Sequence, residues 1–249
     1  MKLDRVIAVR NDKTVYRDGD RVIKVFHAGY SKADVLNEAL NQARIEETGL
    51  RIPKVLEVTV IDGKWSIVYE FIKGKTLVQR MAENPGKKDE YIALLVELQR
   101  SVHRETVPLL NRLQDTMRRK IDAAGLDETT RCGLLTRLEG MPRHDKVCHG
   151  DFNPTNVIIA MDGTPYLLDW SHATRGNASA DVACTYLKLR MNGDEAGAEL
   201  YLDTFCQKSN TDKQYVQKWI PLVAASQLAK ANEKERAFIA VWVKVEDAL

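Results

Sequence analysis

Two polar clusters carry most of the chemistry available to this chain: CHGDFNPTNVII, residues 148–159, and YLLDWSHATRGN, residues 166–177. Asp151 and Asn156 stand five residues apart, and Asn156 and Asp169 thirteen. Apolar runs, VII and YLL, punctuate both clusters and read as short buried strands. Phosphoryl transfer asks for little covalent help. It needs a carboxylate near the attacking hydroxyl and oxygen ligands for a metal bridging the phosphates. Asp151 can supply the first, and the Asn156 amide oxygen with the Asp169 carboxylate can supply the second. Such hard oxygen donors suit magnesium, which keeps several waters and takes few protein ligands. Taken singly, an Asp or Asn at a strand end is an ordinary turn-former. Taken together, after a His-Gly pair, the three point to a phosphotransfer site.

The elements that must position these groups fall into two kinds. Residues 5–10, 14–17 and 21–27 read as short strands separated by polar turns at 11–13 and 18–20. Residues 31–48 take helical spacing, with Ser31 as N-cap, Gly49 as stop, and Val35, Leu36, Ala39, Ala43 and Ile45 on one broad face. Strands at 54–61 and 65–72 follow, joined by an Asp62-Gly63 turn, and residues 73–75 form a short link. Helices are expected at 76–83, 89–103, 108–123 and 127–139, then a strand pair within 147–169, then helices at 179–192, 194–207, 211–231 and 233–247. The order implies an α+β chain with two unequal lobes, without solenoid repeats.

Composition narrows the class. The chain has 249 residues and a formal charge of +2, with none of the basic excess expected of a nucleic-acid binder. Cys132, Cys148, Cys184 and Cys206 are widely spaced and form no CxxC pair, so reduced thiols in a cytoplasmic setting are expected. Charges interrupt MKLDRVIAVR, which argues against an export signal. No run approaches the roughly 20 apolar residues that span a bilayer. The expectation is a cytoplasmic protein with no membrane and no nucleic-acid partner, its oligomeric state left open.

HGDFNPTN keeps the Asp-to-Asn interval of the protein-kinase catalytic loop, HRDxxxxN. Together with LLDWSHATRGN it resembles the aminoglycoside phosphotransferase and choline kinase-like family, in which HGD and IDW stand for HRD and DFG. VIKVF, NEALNQARIEETGLRIPKVLEV and VYEFIKGKTL follow the family's order, so the resemblance covers most of residues 1–190. It implies a protein kinase-like bilobal fold: residues 1–72 as a small antiparallel-sheet lobe with one helix that binds nucleotide, and 73–249 as a larger helical lobe for catalysis and the acceptor, with a hinge at about 69–75. It also implies transfer of the γ-phosphate of ATP or GTP, with magnesium, to a hydroxyl of a small acceptor. In that pattern Asp151 orients or deprotonates the acceptor hydroxyl, and Asn156 and Asp169 hold magnesium. Lys24 contacts the α- and β-phosphates and Glu38 fixes Lys24. The Glu70 carbonyl and Ile72 amide meet adenine. His149 and Asp181 support the catalytic loop.

Two departures qualify this reading. The turn VRNDKTVY lacks the glycine that usually lets backbone amides cover the phosphates, although Lys13 or Thr14 can reach them. That loss keeps a second reading open: a nucleotide-binding or sensing pseudoenzyme of the same fold with little transferase activity. Residues 178–249 carry similar numbers of acids and bases, so no acidic trap for a polycationic antibiotic is evident. The short segment after Asp169, without an APE signature, argues against a protein-substrate kinase.

Overall fold

The computed structural model describes Leu3, residues 5–10 and residues 12–243. The chain runs through β1 (Arg5–Val9), β2 (Lys13–Asp18), β3 (Arg21–Phe26), α1 (Lys32–Glu46), β4 (Val55–Ile61), β5 (Lys64–Glu70), β6 (Gly74–Thr76) and α2 (Leu77–Glu83). It continues through α3 (Lys88–Val102), α4 (Leu113–Asp122), α5 (Glu128–Gly140), β7 (Lys146–Cys148), β8 (Val157–Ala160), β9 (Pro165–Leu167) and β10 (Thr174–Gly176). The last helices are α6 (Ala178–Met191), α7 (Glu195–Ser209), α8 (Lys213–Gln217), α9 (Ile220–Leu228) and α10 (Glu233–Ala240). The fold class is α+β, as the sequence implies. By packing, residues 1–83 with 154–172 form one compact unit, and residues 84–153 with 173–249 form another.

In the first unit, five antiparallel strands are ordered β1-β2-β3-β5-β4. Strand alternation sends Ile23, Val25 and Val68 to one face and Phe26, Ile67 and Tyr69 to the other, where Val35 and Ala39 of α1 cover them. The β4–β5 hairpin turns at Asp62 and Gly63, both at positive φ (48° and 74°), the two-residue geometry that matches strand twist. Ser31 caps α1 by accepting the Asp34 amide. The buried face of α1 differs from the expected one: Leu36 and Ala43 are exposed, and Glu38, Asn41 and Gln42 are buried instead. Hydrogen bonds explain the exchange, because Gln42 donates to the Pro53 carbonyl at 2.6 Å and Glu38 meets a buried lysine. The helix ends before Gly49, where the Thr48 amide and hydroxyl both return to the Ile45 carbonyl.

Residues 73–75 are more than a link. Gly74, Lys75 and Thr76 pair with Ala160, Ile159 and Ile158, so β6, β8 and β9 make a second small sheet in this unit. A Cβ at Gly74 would stand 2.3 Å from the Ile159 carbonyl oxygen, which is why glycine is required there.

In the second unit, α6 is buried nearly all round, packed by α7 and α9, while α3 packs on α7 and α4 on α9. Strand β7 pairs with β10, an element the sequence pattern did not reveal. The helix expected at 108–123 begins only at Leu113, because the Asn111 carbonyl accepts the Arg175 amide and draws residues 111–112 alongside β10. The helix expected at 211–231 is two helices, α8 and α9, with Pro221 in the first turn of the second. Of the helix expected at 233–247, α10 occupies Glu233–Ala240; residues 244–247, like Asn11 of the first turn, lie outside the described residues. All four cysteines are free thiols. Among the described residues no helix is long and apolar enough to cross a membrane.

Candidate active site

In the first unit, the site grows from strand parity and one hairpin. Lys24 sits between Ile23 and Val25 on β3, so its side chain takes the opposite face, toward α1. There it pairs with Glu38, whose Oε1 also accepts the Tyr69 hydroxyl at 3.2 Å. Both charged groups are almost sealed from water, at 8% and 2% exposure, which is tolerable only as a bonded pair. In the β8–β9 hairpin, Val157 faces Leu167, so Asn156 and Asp169 emerge together at its open end. The Leu168 amide donates to the Asn156 carbonyl at 2.8 Å and closes that end. A spacing of thirteen residues in sequence thereby becomes adjacency.

Asp169 adopts φ 61°, a left-handed conformation that non-glycine residues rarely take and that often marks a functional position. Its Oδ1 accepts the Ser171 hydroxyl at 3.0 Å and lies 3.4 Å from Lys24 Nζ, and its Oδ2 lies 3.6 Å from Lys13 Nζ. Lys13 Nζ is also 4.0 Å from Glu38 Oε2. Burial alone would push the Asp169 carboxyl up, but the Lys24, Lys13 and His172 charges and the Ser171 bond outweigh it and hold it well below the usual carboxylate range. Burial likewise opposes charge on Lys24, and the Asp169, Tyr69 and Glu38 charges reverse that and raise it above the usual lysine value. Lys24 is therefore a cation and Asp169 an anion at neutral pH.

Lys24, Asn156 and Asp169 line a cavity of about 270 Å³, as do Lys13, Glu70 and Ile72. Ala8, Val15, Val22 and Ile158 give it apolar walls. An apolar cavity of this order with a few convergent polar groups is what small-molecule sites share. The Glu70 amide is taken by the Lys54 carbonyl and the Phe71 amide by the Asp20 carbonyl, each at 3.0 Å. Among the described residues no group of three His, Cys, Asp or Glu side chains could hold a metal. One carboxylate and one amide oxygen, Asp169 and Asn156, are hard donors of the kind that would suit magnesium.

In the second unit, the loop after β7 is fastened to α6. Gly150, at φ 80°, gives its amide to Asp181 Oδ1 at 2.7 Å, and its carbonyl accepts the Cys184 thiol at 3.3 Å. The Thr185 hydroxyl donates to the Phe152 carbonyl at 2.8 Å. His149 is fully buried against the edge of Phe152 and accepts the Asp151 amide at Nδ1, 3.3 Å away. Asn153 donates to the Asp151 carbonyl and to Oδ1, at 2.9 and 3.2 Å. Asp181 Oδ2 accepts from His103 Nε2 at 2.9 Å and from Gln99 at 3.0 Å. Burial pushes the Asp181 carboxyl up, but the His103 bond and charge and the Gln99 bond hold it down at about 2. Asp151 itself stays partly open, with its side chain 31% exposed.

The residues singled out in sequence thus form two assembled groups. Lys24, Glu38, Glu70, Ile72, Asn156 and Asp169 belong to the first unit, and Asp151, His149 and Asp181 to the second. Sequence reasoning missed Tyr69, Ser171, Gln99, His103 and Thr185. Gln99 offered a signal, as a polar residue on the stripe Ile92, Leu95, Val96 and Val102 that α3 buries. Trp219 is fully buried, and Arg175 bonds the Leu110 carbonyl and Asp145.

Comparison with known proteins gives a consistent picture. The pattern of the phosphotransferase enzyme family (APH) matches residues 5–219. No curated protein sequence matches. A thermostable mutant of aminoglycoside phosphotransferase APH(4)-Ia, solved as a ternary complex with AMP-PNP and hygromycin B, superposes with TM-score 0.67 at 16% identity, covering 94% of this chain and 89% of that one. Choline kinase LicA from Streptococcus pneumoniae gives 0.64 at 16% identity, over 97% and 93% of the two chains. APH(3'')-Id from Streptomyces rimosus, in complex with ADP and streptomycin, gives 0.63 at 19% identity, over 86% and 90%. The fold is protein kinase-like.

Proposed function

Because the chain belongs to the phosphotransferase enzyme family, we propose that it transfers the γ-phosphate of ATP or GTP to a hydroxyl of a small molecule, with magnesium. The observation that carries this reading is the meeting of Asn156 and Asp169 at one hairpin end, in a cavity shared with the paired Lys24. Asn156 and Asp169 would hold magnesium, which when bound offsets the charge on the phosphate oxygens. Lys24, fixed by Glu38, would contact the α- and β-phosphates. The Ile72 amide would donate to adenine and the Glu70 carbonyl accept from it. The two polar groups of a trans peptide point opposite ways, so the Phe71 amide bonding Asp20 leaves the Glu70 carbonyl facing the other side.

Asp151 would accept the acceptor's hydroxyl proton, and its loop is held for that task by Asp181, Cys184 and Thr185. The glycine-free turn is compensated by Lys13, a second lysine beside Asp169 that can meet phosphate where backbone amides do not. This favours transfer over a binding-only protein. The related structures with hygromycin B and streptomycin support a small hydroxylated acceptor.

Two substitutions test the reading. Asp169→Ala should abolish magnesium-dependent nucleotide binding in calorimetry. Asp151→Asn should leave nucleotide binding intact and lower turnover by about 10²- to 10⁴-fold. Full turnover in both variants would refute the proposed roles.

A further inference from the structure

A cleft within the second unit is built from donors and cations. Trp219 lines it, and its indole N–H is buried with no hydrogen-bond partner among the described residues. A buried donor in that condition costs free energy unless something accepts from it. The neighbouring amide side chains are engaged elsewhere. Gln114 donates to the Leu138 and Met141 carbonyls, and Asn177 donates to the Pro142 carbonyl and the Tyr215 hydroxyl.

The same cleft meets the N-terminus of α4. Arg112 stands ahead of the first turn because the chain there runs alongside β10, and it supplies no capping bond, since an arginine side chain has only donors. The amides of the first turn therefore have no capping side chain, and the positive end of the ten-residue helix opens at Leu113 and Gln114, which line the cleft. Asp115, the one acid of that turn, is exposed and lies outside the lining.

Arg112, Arg143 and Arg175 add three guanidinium groups. Arg175 is fixed by the Leu110 carbonyl at 3.2 Å and by Asp145 at 2.9 Å, and Asp145 also lies 3.6 Å from Arg112. The exposed Arg143 side chain makes no hydrogen bond or ion pair among the described residues. Three guanidinium groups against one carboxylate leave an excess of positive charge that suits a doubly charged phosphate better than a singly charged carboxylate. The enclosed space is about 10 Å³, room for a single oxygen. One oxygen of a tetrahedral oxyanion would accept from the indole there, with its others at the mouth among the guanidinium groups.

We propose that this cleft binds a phosphoryl group, carried by inorganic phosphate or by a small phosphate monoester, with the Trp219 indole, the first turn of α4, Arg143 and Arg175 as its donors. None of Lys24, Asp151, Asn156 or Asp169 lines it, and the inference does not rest on the phosphotransfer reading. The bound group would tie α4 and Trp219 to β10, the strand that pairs with β7 ahead of Asp151.

The test is NMR of the full chain with 15N-labelled tryptophan. The chain has four tryptophans, and Trp219→Phe identifies the Trp219 indole signal by its loss; through-bond assignment does so should that variant not fold. Inorganic phosphate and methyl phosphate are titrated at fixed ionic strength and about pH 8, where both are mainly dianions, with acetate as the carboxylate arm. For at least one phosphate the Trp219 signal should move and saturate, with half-saturation below about 20 mM. The tighter of the two assigns the source. Acetate should bind at least about threefold more weakly, and Arg143→Glu, at an exposed position, should weaken the phosphate by about threefold or more.

A signal that phosphate leaves unmoved, or short of half-saturation at about 20 mM, would overturn the proposal and assign a water molecule to the indole N–H. Acetate within about threefold of the better phosphate, or Arg143→Glu within about threefold of the native affinity, would overturn it as well.

Discussion

Replacing Asp181 with asparagine should expose how the catalytic loop is held. The side chain accepts three hydrogen bonds, from the Gly150 amide, Gln99 and His103, at 2.7, 3.0 and 2.9 Å. Asparagine can keep the Gly150 bond through its oxygen, but its NH₂ then faces two donors. Gln99 cannot turn over to accept, because its Oε1 already accepts the Tyr201 hydroxyl. Loss of two buried charge-assisted bonds, partly relieved by His103 changing tautomer, gives an expected destabilisation of about 2–4 kcal/mol at pH 7. Part of that loss depends on pH. A carboxyl at about 2 in the folded chain, against about 3.9 unfolded, contributes about 2.6 kcal/mol when ionised in both states.

The folded value is the lower one, so this contribution is complete above about pH 5 and is lost as pH falls from there through about 2. By pH 3 about 1.2 kcal/mol of it is gone, and the gap between native protein and Asp181→Asn should narrow by that amount. Urea unfolding of both proteins at pH 7 and pH 3 measures the gap, with m values compared to verify the same transition. A gap that is equal at the two pH values, or below about 0.5 kcal/mol at pH 7, refutes the account of Asp181 as a buried anion that anchors the loop.

Two further outcomes follow from close contacts. Lys24→Met leaves buried Glu38 with only Lys13, 4.0 Å away, and the Tyr69 hydroxyl to offset its charge and should cost about 3–5 kcal/mol, whereas Lys24→Met with Glu38→Leu should recover most of the stability without recovering nucleotide binding. Urea midpoints and calorimetry on both variants check this, and a stable single variant would show the pair to be dispensable. Gly74→Ala places a Cβ 2.3 Å from the Ile159 oxygen and 2.8 Å from the Ala160 Cα, so β6 must shift, at about 1–3 kcal/mol. An unchanged urea midpoint would mean that the β6–β8 contact is looser than the structure has it.

Much of the fold and part of the site were legible in the sequence because local rules wrote them. Ser31 signals the start of α1, Asp62-Gly63 specifies its hairpin turn, and the clusters around Asp151, Asn156 and Asp169 are compact in sequence. Where the expectation and the structure part, a long-range partner decided. β6 is three residues long and exists because Ile158, Ile159 and Ala160 pair with it, and α4 starts late because the chain before it bonds Arg175. No window of neighbouring residues contains those partners.

The same division runs through the candidate site. Residue types and spacing determined which groups could do the chemistry, since the carboxylates, amide and lysine are fixed by the sequence whatever the packing. Only the tertiary structure decided their company. It set Glu38 and Gln42 on the buried face of α1 in place of Leu36 and Ala43, gathered Lys13 with Lys24 around Asp169, and brought Gln99, His103 and Lys188 to the Asp151 loop. The physical reason is that a buried polar group is stable only beside its partner, and these partners lie from 11 to 156 residues away along the chain.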